Sequence, residues 1–340
     1  MGMAAGMMRR LPQAPQVAVL GLVGPRRQMA VVLMTLLMAA AGAASALILL
    51  GSPSAPRAQA ASALSLVPAV GPCLLPVGGA SHFGFVSFPS GSYVPATGAP
   101  RSEPATYSRG INKWLPANRR LISPASDRFA WDVNKDESLQ IYSATGTTAE
   151  LLSGRVLQAI GWDSGGIYFT EMNTGRLGIL NPDTMATKFI SRPQGYAGSG
   201  WDYVSQGHAY GIWGDGAGGL KLLDVNLSDG SATPLYSFRK DAKGRSSGEV
   251  IGDSSGQSIL VDSPDGFGAP YSVVLVGGAG RLLQLASSAT SNFTPESAFG
   301  DGNRIWLTSM DGSLWLFNQG SGIQRMTAPM DIHAVTGPCA

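Results

Sequence analysis

The sequence predicts an all-β chain: a β-propeller of about six four-stranded blades, preceded by one N-terminal transmembrane helix. Three observations carry this prediction. A turn-and-strand unit recurs from about residue 111 to residue 330. Turn formers abound and charge is scarce, with 45 glycines, 22 prolines and 14% charged residues in 340. No amphipathic helical pattern comes after the N-terminal apolar run.

That run comes first in the chain. Residues 29–50 are 22 consecutive uncharged residues, mostly Ala, Leu, Val and Met. At about 1.5 Å per residue, such a helix crosses a hydrocarbon core. Arg9, Arg10, Arg26 and Arg27 precede it, and no acidic residue occurs before Ala61. The positive-inside bias therefore keeps residues 1–28 cytoplasmic and exports the chain beyond residue 50. The alternative is a signal peptide cut after Ala60, at the small-x-small site Ala58-Gln59-Ala60, which would make the domain secreted. The run is longer than a usual signal core, which favours the anchor. Residues 51–70 are rich in Ala, Ser and Pro and read as a linker. Residues 71–340 form the propeller domain.

The export boundary changes the charge reading. Five of the 24 basic residues lie before Ala61, and all 22 acidic residues lie after it. The exported part thus holds 19 basic against 22 acidic groups, a net of about −3. A weakly acidic domain without basic runs is a poor partner for nucleic acid.

The first half of the repeat runs through residues 123–131, 161–169, 207–213, 252–261 and 300–307. A second strand matches at 139–142, 177–180, 220–223, 281–285 and 313–317. A period of about 40–50 residues with about four strands per unit is the propeller signature. Upstream, residues 71–110 are irregular apart from one hairpin: 82–88, a turn over 89–92, then Tyr93 and Val94. Residues 95–107 read as a polar, proline-bearing loop. The apolar tail 332–335 reads as a strand that completes the blade begun near Cys73, so that both ends of the domain build one blade. Five clear units and this composite one make six, with five or seven left open by loose boundaries.

Cys73 and Cys339 are the two cysteines, each within Gly-Pro-Cys. A propeller brings its first and last blades together. In an oxidising compartment the pair is expected to form a disulfide.

Residues 123–130, Ser-Pro-Ala-Ser-Asp-Arg-Phe-Ala, resemble the S-P-D-G-x-x-hydrophobic-A turn of Tol-type and WD-repeat-like propellers, with Asp127 displaced by one position. Residues 179–184 resemble the hydrophobic-D-P-x-T hairpin of YVTN and quinoprotein-like propellers. Residues 311–315, Asp-Gly-Ser-Leu-Trp, resemble a hairpin of the same group. The resemblance implies architecture alone, because these motifs are hairpin chemistry and carry no substrate information.

Chemistry is sparse. His82, His208 and His333 are isolated, without zinc-ligand spacing. No G-x-S-x-G elbow occurs. The glycine runs 214–219 and 277–280 open no helix and read as hairpin loops. Glu171, Asn173, Asp202, Asp215, Asp253 and Asp301 recur near strand ends. If they converged on the channel they would offer the six to eight oxygens that calcium takes. In propellers resembling gluconolactonases such an ion polarises a lactone carbonyl, although that family's spacing is not reproduced here. No other cofactor is expected. Trp162 and Trp201 at a channel mouth would stack on a sugar or a partner's side chains, while the other tryptophans are expected between blades. The expected function is a membrane-anchored, extracytoplasmic recognition platform for a protein, peptide or glycan. The alternatives are a channel-metal or quinone-dependent enzyme, such as a lactonase-like hydrolase, and an envelope assembly protein.

Overall fold

A computed structural model describes residues 70–340, apart from 80–81, 100–103, 134–137, 144–147, 153–155, 199, 265–269, 290–292 and 329–330. Residues 1–28, the anchor expected at 29–50 and the part of the expected linker up to residue 69 lie outside the described residues. Among the described residues no helix is long and apolar enough to cross a membrane.

Every regular element described is a strand, save two 3-10 turns at Arg119–Leu121 and Gly278–Gly280. The strands succeed one another as antiparallel hairpins. They begin with β1 (Cys73–Gly78), β2 (Phe83–Phe88) and β3 (Ser92–Pro95), then the short pair β4 (Thr106–Ser108) and β5 (Lys113–Leu115). A three-stranded sheet is next: β6 (Arg128–Val133), β7 (Ser138–Ser143) and β8 (Thr148–Leu152). Four-stranded sheets come after it: β9 (Leu157–Asp163), β10 (Gly166–Glu171), β11 (Arg176–Leu180) and β12 (Thr187–Ile190), then β13 (Trp201–Ser205), β14 (His208–Gly214), β15 (Leu220–Asn226) and β16 (Ala232–Ser237). Two more complete the series: β17 (Gly248–Ser254), β18 (Gln257–Asp262), β19 (Ser272–Val276) and β20 (Leu282–Ser287), and β21 (Pro295–Asp301), β22 (Arg304–Ser309), β23 (Leu314–Asn318) and β24 (Gly322–Arg325). The last strand, β25 (Ala334–Val335), does not start a new sheet. It pairs antiparallel with β1, Val77 opposite Val335 and Gly78 opposite Ala334, to give the order β25-β1-β2-β3.

The apolar side chains show how the sheets are arranged. They fall into seven buried clusters, each drawn from two neighbouring sheets. Leu75, Val77 and Phe88 of the first sheet meet Trp306 and Leu316 of the last. Phe83 meets Trp114, and Leu115 meets Phe129, so the two-stranded β4–β5 sheet has a packed neighbour on each side. The remaining four clusters join consecutive sheets from β6 to β24. Seven interfaces among seven sheets close a ring, and the fold is a β-propeller of about seven blades. Trp213 and Trp306 are fully buried between sheets, where large flat rings fill the wedge.

The composite closing blade, the 82–94 hairpin and the Cys73–Cys339 disulfide, with Cα atoms 5.4 Å apart, are all present. The blade number differs from six. The extra sheet is β4–β5, built partly from the segment expected to be a loop. Its strands have three residues each, too short to show a period of two. The fifth matching strand also shifts. Residues 281–285 belong mostly to the outer strand β20, and the third strand of that sheet is β19.

The four inner strands β9, β13, β17 and β21 each carry a bulge, with one extra residue at Ile160, Asp202, Ile251 and Glu296 respectively. A bulge bends the strand and re-aims its side chain. The inner strands also run close together. A Cβ added at Gly252 of β17 would lie 2.1 Å from the Ala298 carbonyl oxygen of β21.

Candidate functional site

The axis of the ring holds a cavity of about 330 Å³. Its wall comes from Phe83, residues 104–106 at β4, residues 118–120, residues 250–252 of β17, Ser297 and Ala298 of β21, and residues 334–336 at β25. It is therefore assembled from the chain's first sheets and its last.

The charged part of this wall is a pair of arginines. The Asn118 side chain accepts the Arg120 N–H at 3.0 Å and starts the 3-10 turn, which sends Arg119 and Arg120 toward β17. Both reach one oxygen. Asp253 Oδ1 accepts Arg119 Nη2 at 2.6 Å, and Arg120 Nε and Nη2 at 3.1 and 2.8 Å. Arg120 also donates Nη1 to the Asp202 carbonyl at 3.1 Å and lies over the Tyr203 ring at 4.9 Å. Arg119 lies over the Phe299 ring at 4.7 Å. The side chains of Arg119, Arg120 and Asp253 are 28%, 23% and 19% exposed, so the cluster sits inside the ring but touches the cavity. Burial lowers the Arg119 guanidinium below its ordinary value, and Asp253 opposes that. Burial alone would raise Asp253, but the two guanidiniums outweigh it and hold the carboxyl below the usual range.

Asp202 is the bulged residue of β13, and its Oδ2 accepts the Ile212 N–H at 3.1 Å. Burial pushes its carboxyl up to about 6, against Arg120 and that N–H, and Glu249 adds to the rise. The ordinary unfolded value is about 3.9. A raised carboxyl binds its proton more tightly when folded, so its contribution is fully favourable at low pH and is lost as pH rises through about 6. Asp202→Asn keeps the acceptor for Ile212 and removes the ionisation. It is expected to raise the melting temperature near neutral pH and above, by on the order of 2–3 kcal/mol of stability, with the gain disappearing toward about pH 4. Thermal unfolding of both proteins across that range checks it. A gain that does not vary with pH would assign the effect to packing instead.

The six acidic and amide candidates do not share a site. Glu171 ends β10 and accepts Arg176 Nε and Nη2 at 3.0 and 2.7 Å. Asn173 is exposed in the next turn. Asp215 lies just past β14, where the Ala217 and Gly219 N–H groups, both at 2.9 Å, hold its carboxyl below the usual range. These three lie at or just past the ends of second strands, at one face of the ring. Asp253 and Asp301 lie at or near the ends of first strands, toward the other face. Asp301 Oδ2 accepts Arg304 Nη2 at 2.9 Å, Trp306 Nε1 at 3.3 Å and the Cys339 N–H at 3.1 Å. Asp202 and Asp253 alone are brought together, around Arg120. Among the described residues no group of three His, Cys, Asp or Glu is placed to hold a metal ion.

Neither tryptophan candidate presents a free face. Trp201 is 4% exposed, set edge-on to Trp213 at 5.2 Å, and donates Nε1 to the Gly175 carbonyl. Trp162 is 9% exposed in the core between the β6 and β9 sheets, with Arg128 over its ring at 5.4 Å. The polar residues of the cavity wall, Thr106, Asn118, Arg119, Arg120, Ser297 and Thr336, are not among the sequence candidates. A signal exists for Arg119: an arginine pair immediately after Asn118 in a chain with few charges.

No protein-family model matches the chain, and no curated protein matches it. Solved structures similar to it include streptogramin B lyase, 14% identical with a TM-score of 0.45 over 76% of this chain and 85% of that one. A nidogen/laminin complex is 13% identical with a TM-score of 0.40 over 76% and 94%. Regucalcin from Agrobacterium tumefaciens, a calcium-binding protein, is 15% identical with a TM-score of 0.39 over 62% and 73%.

Proposed function

We propose that this protein is an extracytoplasmic recognition module, tethered through residues 29–50, whose ligand enters the axial cavity. The observation that carries this reading is the wall of that cavity. It joins residues from opposite ends of the domain, and the Cys73–Cys339 bond fixes those ends together. A wall locked before binding loses little conformational freedom on binding, which is how a preorganised site gains affinity. The disulfide suits an oxidising, extracytoplasmic compartment. The channel carboxylate Asp253 is already engaged by two guanidiniums, which favours recognition over channel-metal chemistry.

The test is a ligand-observed NMR screen of peptides, sugars and small polar and apolar compounds against the oxidised protein. Ala334→Trp, which places an indole at the cavity wall, is the matched blank once its melting transition shows it folded. Hits lost in that variant support the reading. Hits that persist in it would move recognition to an outer surface of the ring.

A further inference from the structure

The ring is complete at its axis and incomplete at its rim. Five sheets have four strands, and the β6–β8 sheet has three plus Ile122, which bridges Phe129 in the inner position. The sheet of β4 and β5 has two. Its missing strands are the outer ones. Thr106 of β4 lines the axial cavity, no residue of β5 does, and among the described residues the sheet ends at β5. Packed sheets lie about 10 Å apart, so the outer strands of the two flanking sheets face each other across on the order of 20 Å, which is room for one further layer.

The walls of this gap continue the two blade interfaces formed at its base. At the base Trp114 meets Phe83, and Leu115 meets Phe129. Farther out on the first sheet Phe85 is half-buried, and its cross-strand neighbour Val94 is 50% exposed. On the β6–β8 sheet Trp131 and Tyr142, both half-buried, lie on the face that packs on Leu115. The complete blades show what stands between such walls elsewhere in the ring. Leu223 and Val225 of the third strand β15 face one neighbouring sheet and Leu222 the other, and Leu316 and Phe317 of β23 divide in the same way. A third strand here is apolar on both faces, as a strand buried on both sides must be. Strand β5 offers the backbone edge to which such a strand adds. A blade of a second copy does not fit the gap, because it carries its own neighbours about 10 Å away. We infer that the gap beyond β5 docks an extended segment of a partner protein, apolar on both faces, which adds to β5 as the third strand that this sheet lacks. The site is separate from the axial cavity, and its failure would leave the reading of that cavity untouched.

The probe is a synthetic peptide of residues 176–190, which copies the third and fourth strands of a complete sheet, β11 and β12. Isothermal titration and hydrogen–deuterium exchange read its binding to the full, disulfide-bonded chain. The peptide is expected to bind one per chain and to slow exchange of the segment that spans β5. The same peptide with Ile179→Pro, which removes a backbone donor from the added strand, is not expected to bind. Val94→Glu places a charge on the wall of the gap at an exposed position. It is expected to leave the melting temperature unchanged and to weaken the peptide by about 10-fold or more. Leu282→Glu, at a residue 57% exposed on the outer strand β20, is expected to leave binding unchanged. Binding that ignores Val94→Glu, or that falls equally with Leu282→Glu, would overturn the partner strand. No binding at all would overturn it too. Slow exchange over β5 in the chain alone would assign the gap to the chain's own residues, and slowing that grows with protein concentration would assign it to a second copy. Either result ends the inference.

Discussion

Replacing Cys73 and Cys339 with serine is expected to cost up to about 5–6 kcal/mol of unfolding free energy, because the bond closes a span of 266 residues. In the chain-entropy model the loss grows with the logarithm of the loop, so few bonds gain more than one joining the ends of a domain. The non-covalent closure consists of the apolar cluster around Trp306, a short strand and a few hydrogen bonds. Strand β25 has two residues. Around it, Leu74 donates to the Ala340 carbonyl at 3.0 Å, and Arg109 bridges the Leu74 and Pro338 carbonyls at 2.9 and 2.7 Å. The Cys339 N–H adds its bond to Asp301. Denaturant unfolding of the oxidised protein and the double serine variant measures the difference. A loss below about 1 kcal/mol would show that these hydrogen bonds and the Trp306 cluster close the ring unaided.

Asp253→Ala is expected to be the most damaging change within the channel, at about 3–5 kcal/mol, because it strands two guanidiniums inside the ring. Asp253→Asn, which retains an acceptor oxygen, is expected to cost less. The double variant Asp253→Ala with Arg119→Gln is expected to recover part of the loss, since one of the stranded charges goes with it. Equal stability of Asp253→Ala and wild type would mean that water in the cavity solvates the arginines as well as Asp253 does.

The two predictions differ in how far the sequence alone supports them. The disulfide is legible, because two cysteines at the ends of a repeat that must close on itself have few other partners. The turn-strand repeat is legible for a related reason: five copies reinforce one another. Strands β4 and β5 are not, since two runs of three residues beside a proline-bearing stretch offer no alternation to read. Strand β19, Ser-Val-Val-Leu-Val, and strand β20, Leu-Leu-Gln-Leu-Ala-Ser, are both apolar, so composition does not say which is third in its sheet. The site is harder still. Asp202 and Asp253 are 51 residues apart in the chain and meet only because their strands are neighbouring inner strands of the ring. Arg119 and Arg120 lie in a turn that looks like a connector until the ring wraps it inward. Trp201 sits one residue before a bulge, and strand register, which sequence fixes poorly, decides that it faces Trp213.

The bond between Cys73 and Cys339 also changes the topology of the molecule. The polypeptide between Cys73 and Cys339 is in effect a covalent circle. A single proteolytic cut in any loop between the two cysteines releases no fragment. It turns the circle back into a line with new ends at the cut, a circular permutant of the same ring. The outer loops can therefore be nicked once while every blade stays attached to its neighbours.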